Sequence, residues 1–182
     1  VANGNPDVAK KLGCWQDLIS GWIKGATVEG EFDTTELIMW VNREYCKNGY
    51  AYLCPINAKR ASLMLFVPFI KESDLNYYWQ RFLKLANIKY TILEEFALQH
   101  FSGFVNQHHS NNIYLTGGAG GAISPFLGFG QLNSICMGVF AAQAIVEGWD
   151  YEVLIKNIIN KERAFYNMRK LFDTLSNDDY DY

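Results

Sequence analysis

The 182 residues carry 16 lysines and arginines against 19 aspartates and glutamates, a formal charge of −3, and 49% of them are apolar. A chain of this length holds one ordinary domain, or one domain with part of another. Its mild acidity gives no footing to nucleic acid or an anionic membrane surface as partner. The four cysteines, Cys14, Cys46, Cys54 and Cys136, form no CxxC pair and have no histidines in ligand spacing. That argues against a metal site and against a small disulfide framework, and leaves reduced thiols in a cytoplasmic protein as the expectation. The most apolar run, Ile135 to Val146, is roughly twelve residues long against the roughly twenty that a membrane-spanning helix needs, so a buried helix is expected there. The acidic end, Asp178, Asp179 and Asp181, is expected to be solvated.

Val1-Ala2-Asn3-Gly4 has the character of a strand entering a turn, with no initial Met, and suggests a fragment boundary. Asn5-Pro6-Asp7 then opens a short helix with Asn5 as cap, Pro6 in the first turn and Gly13 at the left-handed exit. β-Branched and aromatic residues predict strands over Trp22 to Glu31, Glu36 to Tyr45, Tyr50 to Ile56 and Ala61 to Phe69, and short connections suggest an antiparallel meander. From Ser73 onward, Leu75, Tyr78, Trp79, Phe82 and Leu85 fall at helical spacing. A strand over Ile88 to Gln99, a turn at Asn111-Asn112 and a short buried strand over Ile113 to Thr116 follow. Helices are expected from about Gly130 to Val146, Tyr151 to Asn160 and Arg163 to Leu175.

The chemistry is concentrated between that short strand and the first of these helices. The stretch Thr116-Gly117-Gly118-Ala119-Gly120 is followed by Pro125-Phe126-Leu127-Gly128-Phe129-Gly130. Glycines allow positive φ and close backbone approach, and a helix start presents unpaired N–H groups with a partial positive charge. Together they suit an anion or an electron-rich ring edge. On composition alone, a glycine loop at a tight strand–helix packing point explains the stretch equally well.

The residue order resembles the second FAD motif of the flavoprotein class of geranylgeranyl reductases, para-hydroxybenzoate hydroxylase and flavin-dependent halogenases. That motif reads strand, Gly-Asp-Ala-Ala/Gly, then Pro-x-x-Gly-x-Gly at a helix start. Gly49-Tyr50-Ala51-Tyr52-Leu53-Cys54-Pro55 resembles the same class's Gly-Tyr-x-Trp-x-x-Pro strand, which lines its substrate cavity. Ala2-Asn3-Gly4 through Gly13 resembles the Ala-Asp-Gly turn and helix that close its first nucleotide-binding half.

The resemblance implies FAD as cofactor, held by Gly117, Gly118, Ala119, Gly120, Pro125, Gly128, Phe129 and Gly130, with Gly128 and Gly130 against the flavin ring. It also implies a cavity wall from Tyr50, Tyr52 and Phe126. Tyr50 and Tyr52 alternate with Ala51 and so share one face, which a sheet-packing helix would explain as well. Gly118 stands where the family has an Asp that accepts a ribityl hydroxyl, and Asn3 where it has an earlier Asp. Restoring the first of these with Gly118→Asp is expected to strengthen cofactor binding. The GxGxxG segment that cradles the ADP half is absent from this sequence. His100, His108 and His109 have no carboxylate at suitable sequence spacing, no hydrolase motif occurs, and no catalytic side chain stands out.

The expected architecture is α+β: an antiparallel sheet of a substrate-binding region, followed by the strand–glycine loop–helix of a truncated FAD-binding domain. Residues 1–13 would end the first FAD-binding half, 14–110 form the substrate-binding sheet with one helix, and 111–182 carry the second FAD motif and the last helices. The implied activity is that of a dehydrogenase or reductase acting on a small, apolar, lipid-like molecule. A flavin monooxygenase or halogenase ranks lower because the Trp-x-Trp-x-Ile-Pro signature is missing. A non-catalytic module that has lost tight FAD binding is the remaining alternative.

Overall fold

The computed structural model describes residues 1–181. The chain forms two compact units, one of Val1–Ile19 with Phe101–Phe172, the other of Ser20–His100 with the residues from Asp173 onward. Helix and strand are mixed, as the α+β expectation holds. Among the described residues no helix is long and apolar enough to cross a membrane.

A five-stranded sheet has the order β2-β3-β4-β1-β5. Its strands are β1 (Trp15–Glu29), β2 (Ile38–Trp40), β3 (Tyr50–Asn57), β4 (Arg60–Pro68) and β5 (Thr91–Val105). Strands β2, β3 and β4 form the expected antiparallel meander, while β1 joins the far side of β4, with Ala26 opposite Leu63 and Val28 opposite Ala61. At the β3–β4 hairpin the Asn57 side chain accepts from the N–H groups of Lys59 and Arg60, both at 2.9 Å. One sheet face is apolar by strict alternation: Ala51 and Leu53 on β3, then Leu63, Leu65 and Val67 on β4, with Ala26 and Val28 on β1. Helix α3 (Glu72–Leu85) covers that face with Trp79 and Phe82, both fully buried. The Trp79 indole N–H donates to Glu95 at 2.8 Å, so its one polar atom is satisfied.

The expected strand over Glu36 to Tyr45 shrinks to Ile38–Trp40. Asn42 ends it: its side chain accepts from the Glu44 N–H at 2.8 Å and caps a single helical turn, α2 (Arg43–Cys46). Strand propensity in Tyr45 yields to that cap. Leu85, expected on the buried stripe of α3, is 47% exposed at the helix end.

In the other unit, α1 (Asp7–Lys11) ends at Gly13 with φ +71°. Asn5 is not its cap. Pro6 takes that position, and the Asn5 side chain bonds Asn3 and Asp7 instead. Strands β6 (His109–Ser110) and β7 (Ile113–Tyr114) pair across a turn in which Asn111 has φ +51°. Helices α4 (Gln131–Glu147) and α5 (Tyr151–Phe172) are joined through Gly148 at φ +73°. They pack through Met137, Ala141 and Ala144 against Tyr151 and Ile155.

The expectation of a buried helix over Ile135 to Val146 needs correction. Its other side leaves Leu132 70%, Ile135 66%, Val139 52% and Val146 78% exposed. The helix carries apolar residues on both sides, yet the described residues cover one side only.

Tyr151 ties α5 to the strand end by donating to the Leu115 carbonyl at 3.0 Å. Burial pushes its hydroxyl pKa up to about 12, and burial does the same for Tyr45 in the other unit, also to about 12. A raised folded-state pKa gives stability that is complete below the ordinary tyrosine value of 10.0 and is lost as pH climbs to about 12. Denaturant midpoints should therefore fall through that window. Tyr151→Phe should flatten part of the decline while costing about 1 kcal/mol at neutral pH through the lost hydroxyl bond. An unchanged alkaline slope in that variant would count against the role of Tyr151.

Candidate functional site

The glycine-rich stretch is built in two parts. After β7 the chain passes Leu115 and Thr116 and makes one tight 3-10 turn, Gly117–Gly120. Residues at the amino-terminal end lie alongside it: Thr116 N–H donates to Val1 O at 2.9 Å, and Ala119 N–H to Asn3 O at 3.0 Å. Two blocks that the resemblance singled out, Ala2-Asn3-Gly4 and Gly117 to Gly120, are thus hydrogen-bonded neighbours within one unit.

That closeness explains Gly118. A Cβ built there would stand 2.8 Å from the Gly4 carbonyl oxygen and 2.9 Å from that of Asn3. Both are backbone atoms and cannot swing aside. The expected gain from Gly118→Asp is therefore withdrawn: no side chain fits without moving the backbone.

The second part runs from Ser124 to Gly130. Ser124 N–H donates to Phe129 O, and Gly128 N–H to Ser124 O, each at 2.9 Å. Gly128 has φ +72°, a conformation that favours glycine. Gly130 is closely packed against the loop itself. Its missing Cβ would lie 3.0 Å from Ile123 Cα and 3.1 Å from Ala122 O, so its smallness closes the loop on itself. Helix α4 begins after Gly130 with no side-chain cap, leaving its first N–H groups available. In front of that start lies a cavity of about 380 Å³, walled by Phe126, Leu127, Phe129 and Phe165 and floored by Gly130 and Gln131. Gly117 to Gly120 are not among its lining residues.

Polar groups on α4 and α5, some of which also line this cavity, hold the loop in place. The Asn133 amide donates to Ala122 O at 3.0 Å and to Glu162 Oε1 at 2.8 Å, and its oxygen accepts from Lys161 at 3.0 Å. Arg169, 1% exposed, reaches the Phe126 carbonyl at 3.4 Å. None of these was singled out from the sequence. The signal was present: Ile155, Glu162 and Arg169 fall at spacings of seven on α5, so two charged residues share its apolar stripe and are buried with it.

Tyr50 and Tyr52 stand together in the other unit, stacked at 6.5 Å, on the sheet face opposite α3, so α3 is not the helix that covers them. Phe66 meets Tyr50 edge-on at 5.9 Å and His100 at 4.8 Å on that face. Phe96 there lies over Gly25, where a Cβ would come within 2.3 Å of its ring. Burial raises the Tyr52 hydroxyl pKa. Phe126 belongs to the unit of the glycine loop and packs against Phe172 at 5.7 Å. The fold also supplies a carboxylate that sequence spacing did not: Glu152 Oε2 lies 2.9 Å from His108 Nδ1.

No family model matches this chain. Among solved structures, a geranylgeranyl bacteriochlorophyll reductase-like protein from Thermoplasma acidophilum is similar with TM-score 0.76 and 19% identity, over 89% of this chain and 45% of that one. A flavin-dependent halogenase from Xanthomonas campestris is similar with TM-score 0.62 and 14% identity, over 91% of this chain and 34% of that one. Aklavinone-11 hydroxylase, solved with FAD and aklavinone, has TM-score 0.61 and 15% identity, over 92% of this chain and 37% of that one. The fold is therefore the one shared by this reductase-like protein, the halogenase and the hydroxylase, and the chain spans less than half the length of each.

Placing a carboxylate at position 118 tests the loop geometry. Gly118→Asp should lower the stability of the unit that holds it by about 1–3 kcal/mol, as overpacking does, measured by denaturant unfolding. An unchanged or raised midpoint would contradict the approach of Asn3 and Gly4.

Proposed function

We propose that this chain is the carboxy-terminal part of an FAD-dependent oxidoreductase. In that reading residues 1–13 close the first FAD-binding half, 14–110 form the substrate-binding sheet, and 111–182 carry the second flavin motif. The observation that carries it is the uncapped start of α4, opening on a largely apolar cavity directly after a loop in which Gly128 takes a positive φ. Such a start can hold an electron-rich ring edge, and the flavin would supply the hydride or electron transfer. Pro125, Phe129 and the two glycines would shape the ring site, and Gly117, Gly118, Ala119 and Gly120 would run beside the ribityl and phosphate portion. The uncovered apolar side of α4 supports a larger parent, because exposed patches of that kind normally mark a missing partner surface.

A dehydrogenase or reductase acting on an apolar, lipid-like molecule is the favoured activity. The aromatic sheet face of Tyr50, Tyr52 and Phe66 supports an apolar substrate, and the three sequence blocks that resemble the reductase class support the reaction class. The likeness to halogenases and a hydroxylase keeps halogenation or hydroxylation as the second reading.

The test is flavin content. The parent protein should purify yellow and bind FAD stoichiometrically, whereas these 182 residues alone should purify colourless. In the parent, Gly128→Val should abolish flavin absorbance while far-ultraviolet circular dichroism is retained. A colourless parent that FAD cannot reconstitute would overturn the assignment in favour of a non-catalytic module.

A further inference from the structure

We propose that Glu162 is the hydrogen-bond acceptor for the N3–H of the flavin ring, a positioning role that rests on the flavin reading above. The start of α4 offers only donors, the free N–H groups that follow Gly130. By itself that would suit a phosphate. The cavity in front of it, however, is also lined by Glu162, which is 1% exposed. A carboxyl group there works against an anion and supplies an acceptor instead.

The orientation of that carboxyl is fixed. Oε1 accepts from Asn133 at 2.8 Å and has Lys161 Nζ 3.6 Å away, whereas Oε2 is buried and takes no donor from the protein. A buried acceptor without a donor is destabilising and calls for an explanation. A ligand N–H would satisfy it once the entering ring displaces the neighbours that now close Oε2 off. The cavity then presents donors from the helix start beside an acceptor from α5, between the rings of Phe126, Phe129 and Phe165. The complementary ligand is flat and apolar, with a C=O next to an N–H along one edge. Cyclic amides and imides present that pattern, and the pyrimidine end of a flavin, an imide, is one of them.

The half-exposed Lys161 side chain beside the carboxyl is the flexible group that can yield as the ring enters. Asn133 holds Glu162 through Oε1 alone, so Glu162→Gln should keep that bond with its own oxygen and turn its NH2 toward the ring, donor against donor.

The experiment uses the parent protein stripped of flavin and reconstituted with FAD or with 3-methyl-FAD, which lacks the N3–H. Wild type should bind FAD more tightly than 3-methyl-FAD by on the order of tenfold, the effect of one hydrogen bond. Glu162→Gln should lose about that factor for FAD and little for 3-methyl-FAD, so that the preference collapses. A purely structural role for Glu162 would weaken both flavins equally and overturn the proposal. Equal binding of the two flavins by wild type would overturn it as well, while leaving the flavin assignment standing. Failure of wild type to take up either flavin would remove both. Should Glu162→Gln not fold, the wild-type preference decides alone.

Discussion

One buried amide organises the loop unit. Asn133 sits on the first turns of α4, and its side chain joins three segments: the loop at Ala122, helix α5 at Glu162 and the Lys161 ammonium. It is 7% exposed, so each of these bonds replaces solvation that the groups have given up. Truncating it would orphan a carbonyl and a carboxyl oxygen together, and a half-satisfied buried network is worse than none. The arrangement has a functional logic. On the flavin reading, a helix start that stays open toward the cofactor cannot be closed by its own capping side chain, and the loop is held through Asn133 and α5 instead.

The sheet solves a different problem by alternation. Ala51 and Leu53 face α3, so Tyr50 and Tyr52 must face away, and the same parity puts Phe66 beside them and Leu65 beneath α3. A slip of one residue would exchange the two sets. Gly25 marks the aromatic face as closely packed, because Phe96 occupies the space a side chain would need. Two faces of one sheet thus carry separate duties, one aliphatic and covered, the other aromatic.

Much of this was legible in the sequence because the physics involved is local. Helical spacing placed Trp79 and Phe82 on the buried side of α3, and the glycine–proline order located the loop and the start of α4 within one residue. What escaped depended on distant chain segments. The Asn42 cap cut a strand short through one side-chain bond. Glu152 reached His108 across 44 residues, and Glu162 reached Asn133 across 29, separations at which spacing rules say nothing. The apolar run in α4 was read as buried because its composition is that of a buried helix, and composition cannot tell which chain provides the cover.

Gly118 shows how a departure from a family pattern can be forced by geometry. With Asn3 O bonded to Ala119 and the Gly4 carbonyl 2.8 Å from the place of a Cβ, the turn has been closed up against the first residues. A carboxylate there would require opening that contact. The acceptor it would have offered is not wholly lost, because Asn3 Oδ1 is buried and takes no donor from the protein, on the residue that closes the turn. On the flavin reading, a neutral amide oxygen would stand in for a charged one at this end of the cofactor. Hydrogen bonds to neutral acceptors contribute about 0.5–1.5 kcal/mol and those to charged ones about 1.5–3. On that reading the two departures from the family pattern, Asn3 and Gly118, form one rebuilt contact, with a neutral acceptor where the pattern has a charged one.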